Sequence, residues 1–514
     1  MVKESTIYSS NKRIALNTIV LYIRMLFVLC LNLYISRLIL KDLGIVDYGI
    51  YNIVGGIVVL FSYMNSALSL ASNRFFSYEM KNGISKMNVV FNTCFNIQLV
   101  FCGIIILLGE TVGLWLVNDK LVIPADRMFA ANCVYQFSLL TTLLSILRVP
   151  YESSIITHER MSIFAVLSIV EVMLKLLLVL LLPIFAIDVL VSYSGGLLTI
   201  SLICFLLRIL YCKRHFIETK LRKVFDKTLF KEMFAFTGWN FFGATAGVSV
   251  SQGLNFILNI FFGPTANAAR GIAMQVEGAV NQFVTSINTA VNPQIIKRYS
   301  IDDRNGMLKL VFFASKISFL LLLVISFPIL VDTEYILRLW LGNVPEKSVI
   351  FTRLELIYML SVSMTYSINM SAQATGQIRL FQFVEGGILI LNLPIAYTLY
   401  VIGFPPEVAF YSLIGCSLIA FFSKLLILRR IMSFPLMNYI KQVFVRVVVV
   451  SAIGYIVFCF LNSEITIHLQ DFIAKAALYT MVLMSACWFV GFSKSDKHLV
   501  YKYINQALSK IIRK

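Results

Sequence analysis

The sequence predicts an all-α polytopic membrane protein of about fourteen transmembrane helices, and two observations carry that prediction. Of its 514 residues 59% are hydrophobic and 14% charged, where a soluble domain averages roughly 25% charged. No water-facing fold hides such an excess, which excludes an ordinary soluble enzyme. The apolar residues also fall in runs of about 20 or more, the length a helix needs to cross the bilayer core, and far longer than the roughly ten-residue alternating strands of a membrane barrel.

With Gly, Pro and charge clusters as punctuation, the spans fall near 14–36, 49–70, 89–117, 128–149, 162–184, 191–211, 233–262, 266–291, 309–330, 351–370, 381–402, 406–428, 443–461 and 471–491. Asn240, Gln252, Asn255 and Asn259 interrupt the seventh, so a twelve-helix count is the main competitor. The first span contains Arg24 and lacks a small-residue cleavage motif, so it is expected to stay in the mature protein.

Lys and Arg gather on the cytoplasmic side of membrane proteins. With the N-terminus inside, the inner loops and both termini carry 31 of the 44 basic residues, the outer loops and their edges 7, and the spans 6. Both termini are therefore expected in the cytoplasm. The same sorting absorbs most of the +18 net charge, which makes nucleic-acid binding superfluous. The densest cluster, 7 basic residues within 212–231, reads as a topology anchor resting on anionic lipid. Nine cysteines without a CxxC pair read as apolar packing residues, and four scattered histidines offer no metal-ligand spacing.

A shift of about 222 residues aligns Gly49-Ile50, Val54 and Gly56 with Gly271-Ile272, Val276 and Gly278. At 223, Leu31-Asn32 meets Leu254-Asn255 and Asn82-Gly83 meets Asn305-Gly306. Each match falls at the same stage of two six-helix series, the mark of a parallel repeat. The expected organisation is a six-helix lobe over 1–212, a basic cytoplasmic linker over 213–232, a second six-helix lobe over 233–430, and an extra helix pair with a basic cytoplasmic tail over 431–514. The outer loops are too short for an extramembrane domain, so whatever chemistry there is lies among the helices.

An ionisable side chain at the bilayer centre costs about 2.5–3.5 kcal/mol even on the lenient insertion scale, so each one is a functional candidate. At about 100° per residue, Asn17, Arg24 and Asn32 share one stripe of helix 1. Arg24 either lines a substrate cavity or pairs with a carboxylate on another helix. Helix 8 carries Arg270, Glu277, Asn281, Asn288 and Asn292 on one face, and helix 7 carries Gln252, Asn255 and Asn259. These stripes read as cavity lining or as interhelical glue. Glu171 and Lys175 form an i,i+4 pair in the favourable order on helix 5, which admits a structural role or a place in the cavity. Arg74, Arg148, Arg208 and Lys316, near inner helix ends, either snorkel to the headgroups or guard an inner cavity mouth. Glu385 and Asp47 read as caps or interhelical partners. No GxSxG, GxxxxGK[ST] or HExxH motif is present, so neither catalysis, nor a metal, nor a cofactor, nor transport driven by ATP bound to this chain is expected.

Two motifs resemble a known family. The stretch Ser36-Arg37-Leu38-Ile39-Leu40-Lys41-Asp42-Leu43-Gly44-Ile45-Val46-Asp47-Tyr48-Gly49-Ile50-Tyr51 is similar to the R-x-L-G-x-x-x-Y-G signature after helix 1 of polysaccharide flippases. Ala372-Gln373-Ala374-Thr375-Gly376-Gln377-Ile378-Arg379 resembles their A-x-G-[KQ] turn, and Gly386 to Pro394 resembles their helix 11. Those proteins belong to the multidrug/oligosaccharidyl-lipid/polysaccharide exporter superfamily. The resemblance implies a V-shaped pair of six-helix lobes, and a flippase that carries undecaprenyl-diphosphate-linked oligosaccharide from the cytoplasmic to the periplasmic leaflet by alternating access. Arg24 and Arg270 would then hold the diphosphate, with Asn and Gln facing sugar hydroxyls. The implied setting is the bacterial inner membrane, with inner-membrane lipids and the pathway's glycan polymerase and glycosyltransferases as partners. A peptidoglycan-precursor flippase and a cation-coupled multidrug antiporter of the same superfamily are the alternatives. A membrane glycan polymerase or ligase fits less well, since it would need a sizeable outer loop.

Overall fold

The computed structural model describes residues 2–79, 83–158, 160–184, 188–222, 224, 226–375, 379–461 and 469–497, and every regular element among them is helical. The side chains of Asn17, Arg24 and Arg74 lie outside the described residues, as do Gly376-Gln377-Ile378 of the second motif. Ten helices are long and apolar enough to cross a membrane. In chain order they are α3 (Ile84–Lys120), α4 (Ala125–Thr157), α5 (Met161–Ile184), α6 (Val189–His215), α9 (Arg304–Val331), α10 (Ser348–Thr375), α11 (Leu380–Val401), α12 (Val408–Met432), α13 (Leu436–Cys459) and α14 (Leu469–Gly491). Two longer helical stretches, Val2–Glu79 and Lys227–Ser300, are each broken at one glycine, giving α1 (2–43), α2 (45–79), α7 (227–262) and α8 (264–300). This arrangement is compatible with fourteen spans.

Each break is a backbone event. Gly44 adopts φ 75° and Gly263 φ 71°, a region that costs an L-residue about 1–2 kcal/mol and glycine little. A Cβ at either position would meet nothing within 4 Å, so the torsion angle and not crowding calls for glycine. Pro264 then opens α8, where its missing N–H is an orphan in any case. Proline also interrupts α4 and α11: Arg148 breaks α4 just before Pro150, and Leu391 breaks α11 before Pro394. Asp188 caps α6 by accepting the N–H groups of Leu190 and Val191, and Asp303 caps α9 through Gly306.

The same sequence of elements occurs twice. Gly263 follows Gly44 by 219 residues, and the starts of α9, α11 and α12 follow those of α3, α5 and α6 by 220, 219 and 219. The structural offset is thus about three residues shorter than the 222 suggested by matching sequence. Three residues are nearly one helical turn, so apolar faces look alike in both registers and a handful of Gly and Val matches does not separate them.

The chain forms two compact units, Met1–Ala268 and Ala269–Lys514. In the first, α4 packs on α6 and on the opening helices, and α5 packs on α6. One side of α3 turns Leu99, Val100, Ile104, Ile106, Leu107 and Leu108 outward. Such an apolar face suits lipid and not water. In the second unit α9 is the enclosed element, with 78% of its most apolar window buried, and it touches α10, α13 and α14. The additional helix pair therefore completes the second bundle.

Candidate functional site

In the first unit the structure brings Arg148, Glu171, Lys175 and Arg208 together. Glu171 at mid-α5 accepts from Lys175 Nζ at 3.2 Å, as the i,i+4 spacing predicts. It also meets Arg148 Nη1 from α4 at 3.3 Å and Arg208 Nη2 from α6 at 3.4 Å. A fifth member, Glu152 of α4, sits 2.8 Å from Arg208 Nε and 3.4 Å from Arg148 Nε. Arg208 is 2% exposed and also donates from Nη1 to the Cys204 carbonyl at 3.0 Å. Three cations thus share two carboxylates across three helices. Arg148 and Arg208 are turned inward into ion pairs. Glu152 was not singled out in the sequence although it stands i,i+4 from Arg148, because it lies beyond the inner end of the fourth expected span; its shorter contact, to Arg208, comes from another helix that no periodicity announces.

The polar stripe of α7 is a hydrogen-bonded clasp across the Gly263 break. Asn267, at the start of α8, donates to Asn255 Oδ1 at 2.7 Å and to its carbonyl at 2.8 Å. It also accepts from Asn259 Nδ2 at 2.8 Å. Asn259 accepts in turn from the Val122 N–H at 2.8 Å. These asparagines are buried. Gln252 packs over Gly56, where an added Cβ would lie 2.7 Å from its Oε1. Asn32 is exposed on α1. Asn267 was missed because a lone asparagine at the start of a span, off the Arg270–Asn292 stripe, has no periodicity to mark it.

In the second unit Arg270, at 2% exposure, stands with its Nε 3.9 Å from Glu355 Oε1 of α10. Glu277, Tyr358 and Tyr400 lie within its electrostatic reach. Glu277 follows Arg270 on α8 by two turns and is half-buried. Asn281 accepts from the Tyr366 hydroxyl at 3.2 Å. Asn288 donates to the Val284 carbonyl, and the Oδ1 atoms of Asn288 and Asn292 are buried without a partner among the described residues. Lys316 is buried and pairs at 2.5 Å with Asp496, just beyond α14. Lys424 of α12 is 2% exposed and pairs with Glu385 of α11.

Where α4 and α10 begin, both repeats carry the same device. Arg127, at the start of α4, pairs with Asp188 at 2.5 Å and bonds Asp47 through Nε at 2.8 Å. Lys347, just before α10, pairs with Glu407 at 2.9 Å. The two pairs occupy matching places, 220 and 219 residues apart.

No family model and no curated protein matches the chain. Solved structures do, at the level of fold. One titled "Lipid II flippase MurJ, inward closed conformation" superposes with a TM-score of 0.71 at 15% identity, covering 91% of this chain and 98% of that one. An inward-facing multidrug-resistance MATE transporter of the MOP superfamily gives 0.65 at 11% identity, over 83% of this chain and 99% of the other. The MATE multidrug transporter DinF-BH, solved as a complex, gives 0.59 at 15% identity, over 82% and 95%. The fold is that of the MOP-superfamily transporters, and these neighbours are transporters and flippases, not enzymes.

Proposed function

We propose that the protein is a flippase moving an undecaprenyl-diphosphate-linked oligosaccharide from the cytoplasmic to the periplasmic leaflet by alternating access. The observation that carries the reading is the shared fold with a lipid II flippase over nearly the whole chain, joined to cationic side chains within the helices. In α4, α5 and α6, Arg148, Lys175 and Arg208 outnumber Glu152 and Glu171 by one charge. A surplus positive charge in a low-dielectric site favours an anionic headgroup. Arg24 and Arg270 complete the proposed diphosphate-binding set, and the remaining asparagines of α8 serve sugar hydroxyls. On this reading the 213–232 segment links the lobes, both termini are cytoplasmic, the membrane is the bacterial inner membrane, and the polymerase and glycosyltransferases of the pathway are functional partners.

The test is a deletion strain. Lipid-linked oligosaccharide accumulating in the inner leaflet, with loss of surface glycan restored by the wild-type gene, is the expected result. Intact surface glycan with altered drug susceptibility would overturn it. That outcome would favour the cation-coupled antiporter, for which Glu277 and Glu355 beside Arg270 are the specific observation. Failure of peptidoglycan synthesis would favour a peptidoglycan-precursor flippase.

A further inference from the structure

The basic segment after α6 does not hang free. Asn88 of α3 donates its amide to the carbonyls of Glu218 and Lys220, both at 2.7 Å. Asn92, one turn on, donates to the Lys220 carbonyl at 3.3 Å and accepts from the Arg222 N–H at 2.8 Å. Both asparagines are buried. His158, at the end of α4, is bonded to Glu218 at 2.5 Å and stacked on Phe216 with ring centroids 4.4 Å apart. Residues 216–222 are therefore fixed against the ends of α3 and α4 by side chains that read their backbone. The inward residues Phe216, Glu218 and Thr219 are buried, whereas Lys220 and Arg222 are exposed, as are Arg160, Lys213 and Arg214.

Two recesses flank this segment. One, of about 450 Å³, is lined by His158, Arg160, His215 and Ile217 among others, and the one carboxylate among its described lining residues, Glu218, is taken up by His158. The other, of about 440 Å³, sets Arg222, Asn92 and Asn96 beside Phe95, Leu99 and Leu221. Ile217 is 61% exposed and Leu221 53%, a disposition that water penalises and acyl chains do not. Leu99 begins the outward apolar face of α3. A cationic rim beside an apolar wall that runs on into the lipid-facing side of a helix has the amphiphilic shape of one kind of occupant.

We propose that the 213–222 segment, preorganised by Asn88 and Asn92, forms with Arg160 a binding surface for the phosphodiester headgroup of an anionic glycerophospholipid of the adjoining leaflet, with Ile217 and Leu221 set among its acyl chains. Because the basic side chains are held by a fixed backbone, their charge is spent on a defined place rather than on a diffuse anchor. The reading takes the cytoplasmic orientation of this end from the proposed topology, and it stands apart from the glycan-carrier role.

The test is native mass spectrometry of the full-length protein released from mixed phosphatidylcholine and phosphatidylglycerol micelles, which reads lipid retention and not transport. Wild type is expected to retain phosphatidylglycerol over phosphatidylcholine. Arg160→Gln/Arg222→Gln should weaken that retention about 25-fold, at about fivefold for each basic residue near a membrane surface. Lys227→Gln/Lys231→Gln removes the same charge from exposed positions on the first turns of α7 and should leave retention as in wild type. Ile217→Ser/Leu221→Ser keeps every charge and should also lose the lipid, which separates a lipid from free phosphate. Equal loss in both charge variants, retention of the two lipids alike, or competition by inorganic phosphate with no effect of the Ile217 and Leu221 changes would overturn the proposal. Melting temperatures equal to wild type establish that each variant is folded.

Discussion

Replacing Arg208 with methionine tests whether the five-residue network is an interdependent structural unit. Methionine keeps much of the apolar stem but leaves Glu152 and Glu171 to Arg148 and Lys175. Stripping one partner from a buried pair costs about 3–5 kcal/mol when it strands the other charge. Here neither carboxylate is stranded, because Arg148 stays 3.4 Å from Glu152 and 3.3 Å from Glu171, and Lys175 stays 3.2 Å from Glu171. The loss should therefore fall below that range, at less than about 3 kcal/mol. Glu152→Gln removes the 2.8 Å partner of Arg208 and leaves it facing Glu171 alone. If the pair acts as a unit, the double variant R208M/E152Q should be less destabilised than the sum of the singles by at least about 1 kcal/mol, within the range for residues in one network. Denaturant unfolding of the purified full-length protein in detergent, on wild type, both singles and the double, completes the cycle. Additive losses, or an Arg208→Met variant as stable as wild type, would refute the reasoning.

Further perturbations follow from the same geometry. Gly49→Ala places a Cβ 2.0 Å from the Pro264 carbonyl oxygen, and should abolish folded protein in the membrane, while Gly55→Ala meets nothing within 4 Å and should be near neutral; expression and monodispersity read both. Asn267→Ala deletes three hydrogen bonds and leaves the buried Asn259 amide only its longer bond to the Val122 carbonyl, for a loss of about 1–3 kcal/mol by thermal unfolding. Burial raises the Asp188 carboxyl, but the Arg127 guanidinium and the N–H groups of Val191 and Leu190 outweigh it and hold the group below the usual range. Its stabilising contribution is therefore whole above the unfolded value near about 3.9 and is lost as pH falls through the depressed folded value. Asp188→Asn should melt lower than wild type at neutral pH and show a flatter loss of stability below about pH 4. Lys347→Glu should be restored toward wild type by Glu407→Lys; the pair is partly exposed, so the coupling should be below about 1 kcal/mol and shrink with added salt.

Hydropathy carries the helices because crossing a bilayer demands length and apolarity together, but it marks where a helix leaves the hydrocarbon and not where it ends. The interval 37–48, with Arg37, Lys41, Asp42 and Asp47, reads as a loop; in the structure helix continues through it on both sides of Gly44. Glu171 and Lys175 are legible as a pair because they are neighbours on one helix. Their links to Arg148, Glu152 and Arg208 arise only when α4, α5 and α6 pack, and no local pattern encodes them. The α7 asparagines show the opposite ambiguity. Their spacing puts Gln252, Asn255 and Asn259 on one face, but a polar face is compatible with a cavity or with a partner, and the partner that Asn255 and Asn259 meet, Asn267, lies on the next helix.

The repeat keeps its edge and changes its interior. The helix-end pairs Arg127–Asp188 and Lys347–Glu407 recur at matching positions, although a partly exposed pair contributes little stability by itself. Inside, the charged sets do not recur. The residues 219 after Glu152, Glu171 and Arg208 are Ser371, Ile390 and Ile427, and those 219 before Arg270, Glu277 and Glu355 are Tyr51, Val58 and Gln136. Duplicated packing tolerates such exchange only where each repeat neutralises its own buried charge, since an ion left alone at membrane depth costs several kcal/mol. Each set comes within one charge of doing so: the first has one cation in excess, the second one carboxylate. On the proposed function these surpluses divide the work: the first set, with Arg270, draws an anionic headgroup, and the extra carboxylate of the second set takes up a cation or proton. A variant that balances only the second set, Glu277→Gln, should then alter the ion or pH dependence of transport while leaving the affinity for the lipid-linked substrate close to wild type. Equal loss of both would tie the two sets into one site and end the division.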